Sequence, residues 1–115
     1  MGGRFANLIV YREAVVLADD LREIVVTWET FDRWSLGIQL VRAADSIGAN
    51  IAEALGRWHQ ADQRRLLFMA RGSSFETEHW VSRAAARGLI SPSPHATRID
   101  EINRMLNSLI SRREP

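Results

Sequence analysis

The 115-residue chain is 46% hydrophobic and 25% charged, the mix of one soluble globular domain rather than a disordered or membrane-spanning chain. It has no cysteine, which excludes disulfides and thiolate metal sites. Net charge is only +1, so bulk charge alone assigns no polyanionic partner.

No apolar run approaches the roughly 20 residues that span a bilayer. Met1-Gly2-Gly3-Arg4-Phe5 lacks the apolar core of a secretory signal, so a cytoplasmic location is expected. The first periodic segment places Val10, Ala14, Leu17, Leu21, Ile24 and Trp28 at the four-three spacing of a bundle seam, predicting a helix over about 7–28. Phe5 extends that seam, and Asp32 is the candidate N-cap of the next helix. The second helix is expected over 33–58, with Leu36, Leu40, Ala43, Ile47, Ile51 and Trp58 on one stripe and Gly56 or the Trp58-His59-Gln60 stretch ending it.

A third helix is predicted over 62–87 on Leu66, Ala70, Ser73, Thr77, Trp80 and Ala84, with Gly88 at C′. A second apolar row (Leu67, Phe68, Val81, Ala85) implies a helix covered on more than one side. Residues 88–94 form a loop, because two prolines interrupt the helical ladder. Thr97 to Asp100 resembles a capping box, opening a fourth helix over 98–111 on Ile99, Ile102, Leu106 and Leu109. Four helices with short links predict an all-α, antiparallel up-down four-helix bundle, one domain over 1–115.

Few chemical motifs survive inspection. Glu76-Thr77-Glu78-His79 has the Glu-x-x-His spacing of di-iron bundles, but such a site needs the motif twice, and one copy is present. No metal site is expected there. No Gly-x-Ser-x-Gly turn surrounds Ser73 or Ser74, and no glycine-rich phosphate loop opens a helix. The chain is therefore expected to be neither an enzyme nor a cofactor binder.

Charge distribution is more telling. All fifteen cations are arginine, a pattern that base composition explains, and equally one that suits bidentate grip of phosphate or carboxylate. The first helix and its end are acidic (Glu13, Asp19, Asp20, Glu23, Glu29). From Arg57 to Arg87, six arginines face Asp62, Glu76 and Glu78, and Arg42 lies just upstream. Arg57, Arg64 and Arg71 recur every seven residues and, with Arg42 and Arg65, form a candidate nucleic-acid-binding strip. The alternative is an ordinary solvated surface on which these arginines pair with Glu53, Asp62, Glu76 or Glu78. Trp28, Trp34, Trp58 and Trp80 are expected to close a core or an interface rather than stack on bases.

The run Ala44 to Arg57 places Asp45, Ser46, Gly48 and Asn50, poor helix-interior residues, between buried isoleucines. Gly48 is expected to permit close helix approach. Ser46 and Asn50, once buried, need partners; Arg71, Ser73 and Glu76 on the third helix are the expected ones, and Glu53 completes this polar network.

Leu36 to Glu53 carries Leu36, Gln39, Arg42, Ala43, Ser46, Ile47, Asn50, Ile51, Ala52 and Glu53 in register with Leu-x-x-Gln-x-x-Arg-Ala-x-x-Ser-Ile-x-x-Asn-Ile-Ala-Glu-Gly. Leu66 to Glu76 is similar to Phe-Leu-x-x-Ala-Arg-Gly-Ser-x-x-Glu. In both respects the chain resembles a bacterial four-helix-bundle family: proteins encoded by intervening sequences in large-subunit ribosomal RNA genes, with the accessory variability determinants of diversity-generating retroelements. It departs at Ala54, where glycine is usual, at Leu66, where phenylalanine is common, and at Asp45, where the family tends to be apolar.

The resemblance implies a homopentamer ringed around a central channel. In the retroelement branch it further implies a cationic barrel that binds RNA or DNA and engages a reverse transcriptase. Which branch applies is left open. The expected function is a non-enzymatic, nucleic-acid-associated ring-forming adaptor; the alternative is a structural oligomer or protein-partner scaffold with no nucleic-acid role. Neither reading involves a membrane or a small-molecule substrate.

Overall fold

The computed structural model describes residues 8–115; the expected helix start at residue 7 and the Phe5 extension lie outside the described residues. Helix α1 is Ile9–Val25. It presents Val10, Ala14, Leu17, Ala18, Leu21 and Val25 inward at helical spacing. It stops three residues before Trp28. The β-branched run Val25-Val26-Thr27 disfavours a further turn, and the Thr27 hydroxyl donates to the Ile24 carbonyl at 2.6 Å, satisfying an end-of-helix acceptor. Trp28 nevertheless reaches the core from the connection, 7% exposed, and donates its indole N–H to the Leu89 carbonyl at 3.1 Å.

Helix α2 occupies residues 30–55. It opens with Thr30–Asp32, passes through a π-helical stretch, Arg33–Gly37, and continues as Ile38–Leu55. Asp32 is thus inside the first turn rather than the N-cap, where Glu29 sits without a side-chain bond. The π segment lies where α2 crosses the end of α1. A Cβ on Gly37 would sit 2.7 Å from Val25 Cγ1 and 3.2 Å from the Asp32 carbonyl, so this is the crossing that needs glycine. Gly48, the expected close-approach residue, faces α1, and a Cβ there would meet Tyr11 and Val15 at an ordinary 3.7 Å. The helix ends with Gly56 as C-cap. Trp58 therefore falls beyond the stripe and stands 91% exposed.

Helix α3, Gln60–Ala86, starts two residues earlier than expected, with His59 as N-cap and Asp62 in its first turn, where a carboxylate complements the helix dipole. Gly88, at φ +73°, closes it. The Gly88 N–H bonds the Ala85 carbonyl and the Leu89 N–H the Ala84 carbonyl, at 3.0 and 2.9 Å, the Schellman pattern. Helix α4, His95–Ser111, begins directly after Pro94. Pro92 and Pro94 accept from Ala96 and Arg98, so the helix starts before Thr97, and Thr97-to-Asp100 lies within it rather than capping it. Ile99, Ile102, Leu106 and Leu109 are all buried.

Among the described residues the structure has these helices and no strand. Consecutive helices pack on one another and α4 returns against α1, giving an all-α four-helix bundle 46 Å long and 20 Å across. Leucines and isoleucines from all four helices form one continuous hydrophobic cluster. Arg98 of α4 donates to Glu13 of α1 at 2.8 Å across the closing seam. Among the described residues no helix is long and apolar enough to cross a membrane.

Candidate nucleic-acid interface

The α2/α3 seam collects most of the polar residues singled out in the sequence. On α2 and just past its end, Arg42, Ser46, Asn50, Glu53 and Arg57 follow one another at four-three spacing; on α3, Arg65, Met69, Ser73, Glu76 and Trp80 do the same. Such rows share a helix flank. The Ser46 and Ser73 hydroxyls hydrogen-bond across the seam at 2.6 Å, tying the two rows together at mid-length.

The expected polar network forms only in part. Asn50 is half-buried and partnered, but its amide donates to the Ser46 carbonyl of its own helix at 2.9 Å rather than to α3. Glu53 accepts from Arg57 at 2.8 Å. Glu76 accepts from the Trp80 indole N–H at 3.2 Å. Arg71 points to the opposite flank of α3 and donates to Asn107 of α4 at 2.8 Å. The reason is helical phase: Ser73 and Arg71 are two residues, about 200°, apart on one helix.

The same geometry divides the arginine strip. Arg42, Arg57 and Arg65 lie along the α2/α3 face, whereas Arg64 and Arg71 lie on the α4 side of α3. Arg57 sits in the connection after Gly56, so the seven-residue alignment with Arg64 and Arg71 is interrupted. Its guanidinium is held above its usual pKa by the hydrogen bond and charge of Glu53. Arg65 pairs with Asp62 at 3.5 Å. Both pairs are local, exposed and screened by solvent, so they leave these guanidinium groups exchangeable. Among the described residues Arg42 and Arg64 have no carboxylate partner.

Two features escape a reading by periodicity. Phe68, assigned to an inner apolar row, is 43% exposed, and Phe75 is 52% exposed. The Arg71 guanidinium lies over both rings, 4.8 and 5.8 Å from their centroids. Their i, i+3, i+7 spacing was visible, but nothing in it distinguished an outward row from an inward one. The tryptophans split likewise: Trp28 is in the core, Trp80 half-buried, and Trp34 and Trp58 open to solvent.

Glu76 is engaged by Trp80 rather than His79, and among the described residues no three His, Asp or Glu side chains gather as metal ligands would. Burial pushes the His95 pKa below its ordinary value, with Asp20 raising it and Arg98 lowering it. Burial also lowers that of Arg113, whose Nε donates to Gln63 across the α3/α4 seam at 2.9 Å.

Residues 6–111 match the family profile described as 23S rRNA-intervening sequence protein. A crystal structure of a protein of unknown function from the S23 ribosomal protein family of Bacteroides thetaiotaomicron superposes with a TM-score of 0.77 at 26% identity. The match covers 89% of this chain and 98% of that one. No curated protein matches the chain.

Proposed function

The chain belongs to the 23S rRNA-intervening sequence protein family, and from that premise we propose that it is a non-enzymatic, cytoplasmic adaptor that associates with nucleic acid and assembles as a ring, with five subunits the expected number. The observation that carries the nucleic-acid part is the α2/α3 face. There Arg42 has no carboxylate partner among the described residues, and Arg57 and Arg65 are held only by exposed local pairs. Phosphate exchanges readily with such pairs, and repeating the face around a ring multiplies a contact that one near-neutral subunit makes only weakly. Arg64 adds a further cation from the neighbouring flank, and Arg71 contributes only where its aromatic stack stays open. RNA is the first partner to test, given the family; DNA and, in the retroelement branch, a reverse transcriptase follow from the same reading.

Anisotropy titrations with structured RNA and duplex DNA across a salt series test this. Binding that weakens linearly in log affinity against log salt is expected, and Arg42→Ala, Arg57→Ala and Arg65→Ala each flatten the slope for duplex DNA by up to about 0.9 per lost phosphate contact, counted over the ring's copies. Absence of salt-sensitive binding by an oligomeric sample overturns the proposal. The second reading, a structural oligomer with no nucleic-acid role, is favoured by the presence of Glu53, Asp62 and Glu76 on the same face, and that negative result is the one it predicts.

A further inference from the structure

The two faces that flank the α2/α3 interface are unlike each other in shape and in charge. Between α1 and α2 runs a groove. Its wider end, of about 430 Å³, is walled by Val26, Trp34, Ile38 and Val41, with Trp34 66% exposed. Farther along the same two helices a second hollow is lined by Asp19 and Asp45 and by the small residues Gly48, Ala49 and Ala52. Among the described residues neither Asp19 nor Asp45 has an ion-pair partner.

The outer α4-side row of α3 is the complement. Arg64, Phe68, Arg71, Phe75 and Glu78 follow one another at four-three spacing and form a ridge about 20 Å long. Its centre is pre-organised: Arg71 is fixed by Asn107 and stacked on both phenylalanines. Stacked guanidinium over aromatic rings is the composition enriched at interface centres. We propose that this ridge seats in the α1/α2 groove of a second copy of the chain. Arg64 and Arg71 meet the unpaired Asp19 and Asp45, Phe75 enters the apolar end by Trp34, and Glu78 runs towards Arg22 and Arg33, the cations lining that end.

Like charges are thus avoided along the whole contact, which fixes its direction as well as its partner. The contact is heterologous, groove to ridge, so each copy still offers one free groove and one free ridge, and repetition closes a ring or extends a filament. This rests on the ring reading above and specifies its interface. It also withdraws Arg64 and Arg71 from phosphate contact in the assembled ring and leaves Arg42, Arg57 and Arg65 as the open cations.

Light scattering on the full chain tests it by charge exchange. Asp45→Arg and Arg71→Glu, each placed on the surface, are expected to drop the mass to that of the 13.1 kDa chain, and the combined variant to restore the assembly. As a second measurement, the cysteine-free chain carrying Ala49→Cys and Phe68→Cys together is expected to oxidise to a ladder of covalent oligomers that reaches the full assembly. Either single cysteine gives dimers at most. If the charge variants keep the wild-type mass and no ladder forms, this interface is wrong while the ring stands. A wild-type chain that is monomeric at every concentration overturns the ring and the interface together.

Discussion

At the residue scale, the two glycines of α2 separate what helix propensity costs from what packing requires. A Cβ at Gly48 meets only ordinary contacts, and glycine in a helix interior is about 0.8–1.0 kcal/mol less favourable than alanine. Gly48→Ala is therefore expected to raise the unfolding free energy by about 0.5–1 kcal/mol. Gly37→Ala drives a methyl into Val25 at 2.7 Å and is expected to lower it by about 1–3 kcal/mol, the usual range for overpacking. Urea denaturation of both variants checks the contrast, and equal effects would refute it. Ser74 makes a third case. It is wholly buried and its hydroxyl has no partner among the described residues. Removing an orphaned buried polar group relieves its desolvation penalty, so Ser74→Ala is expected to stabilise the bundle by about 1 kcal/mol.

At the scale of the element, most of what the sequence predicts concerns faces, and most of what it misses concerns ends. The inward rows of α1 and α4 are legible because a helix packed on one side must repeat its apolar residues every three or four positions. Ends are set by weaker local chemistry. The β-branched run after Ile24 shortens α1, and two prolines bring the start of α4 forward to His95. That earlier start has a consequence, because it places His95 in a buried site at the α4 N-terminus that disfavours its charged form. Its folded pKa is lowered, so the stability it contributes is complete above the ordinary value near 6.5. That stability is lost as the pH falls below 6.5 towards the folded value, because the unfolded chain takes up the proton first. Urea midpoints measured from about pH 7.5 down to about 5.5 should decline, and His95→Leu should remove that part of the decline.

At the scale of the whole molecule, a bundle of this size leaves a large share of apolar side chains at its surface. Here Phe68 and Phe75 share one face and Trp34 and Val26 another. Assembly that covers them couples folding to association. The urea midpoint is accordingly expected to rise with protein concentration over a roughly hundredfold range, whereas an isolated monomer would show no dependence. The family signature was readable in Leu36–Glu53 and Leu66–Glu76, and the polar residues inside it pointed to the α2/α3 seam through Ser46 and Ser73. The arginine strip was only half legible: the seven-residue spacing assumed one unbroken helix, and the turn at Gly56 breaks it.

That the chain is helical, which side of α1, α2 and α4 is buried, and which family it resembles were legible in the residues alone, because apolar periodicity and local motifs are carried by neighbours along the chain. The packed bundle settled the rest: which helix each polar side chain reaches, that Arg71 turns to Asn107 while Ser73 turns to Ser46, that the Phe68 row faces outward, and that Gly37 rather than Gly48 is the required glycine. Those outcomes depend on helix phase and on crossings between residues far apart in sequence. Periodicity reports the direction of burial, not the identity of the partner.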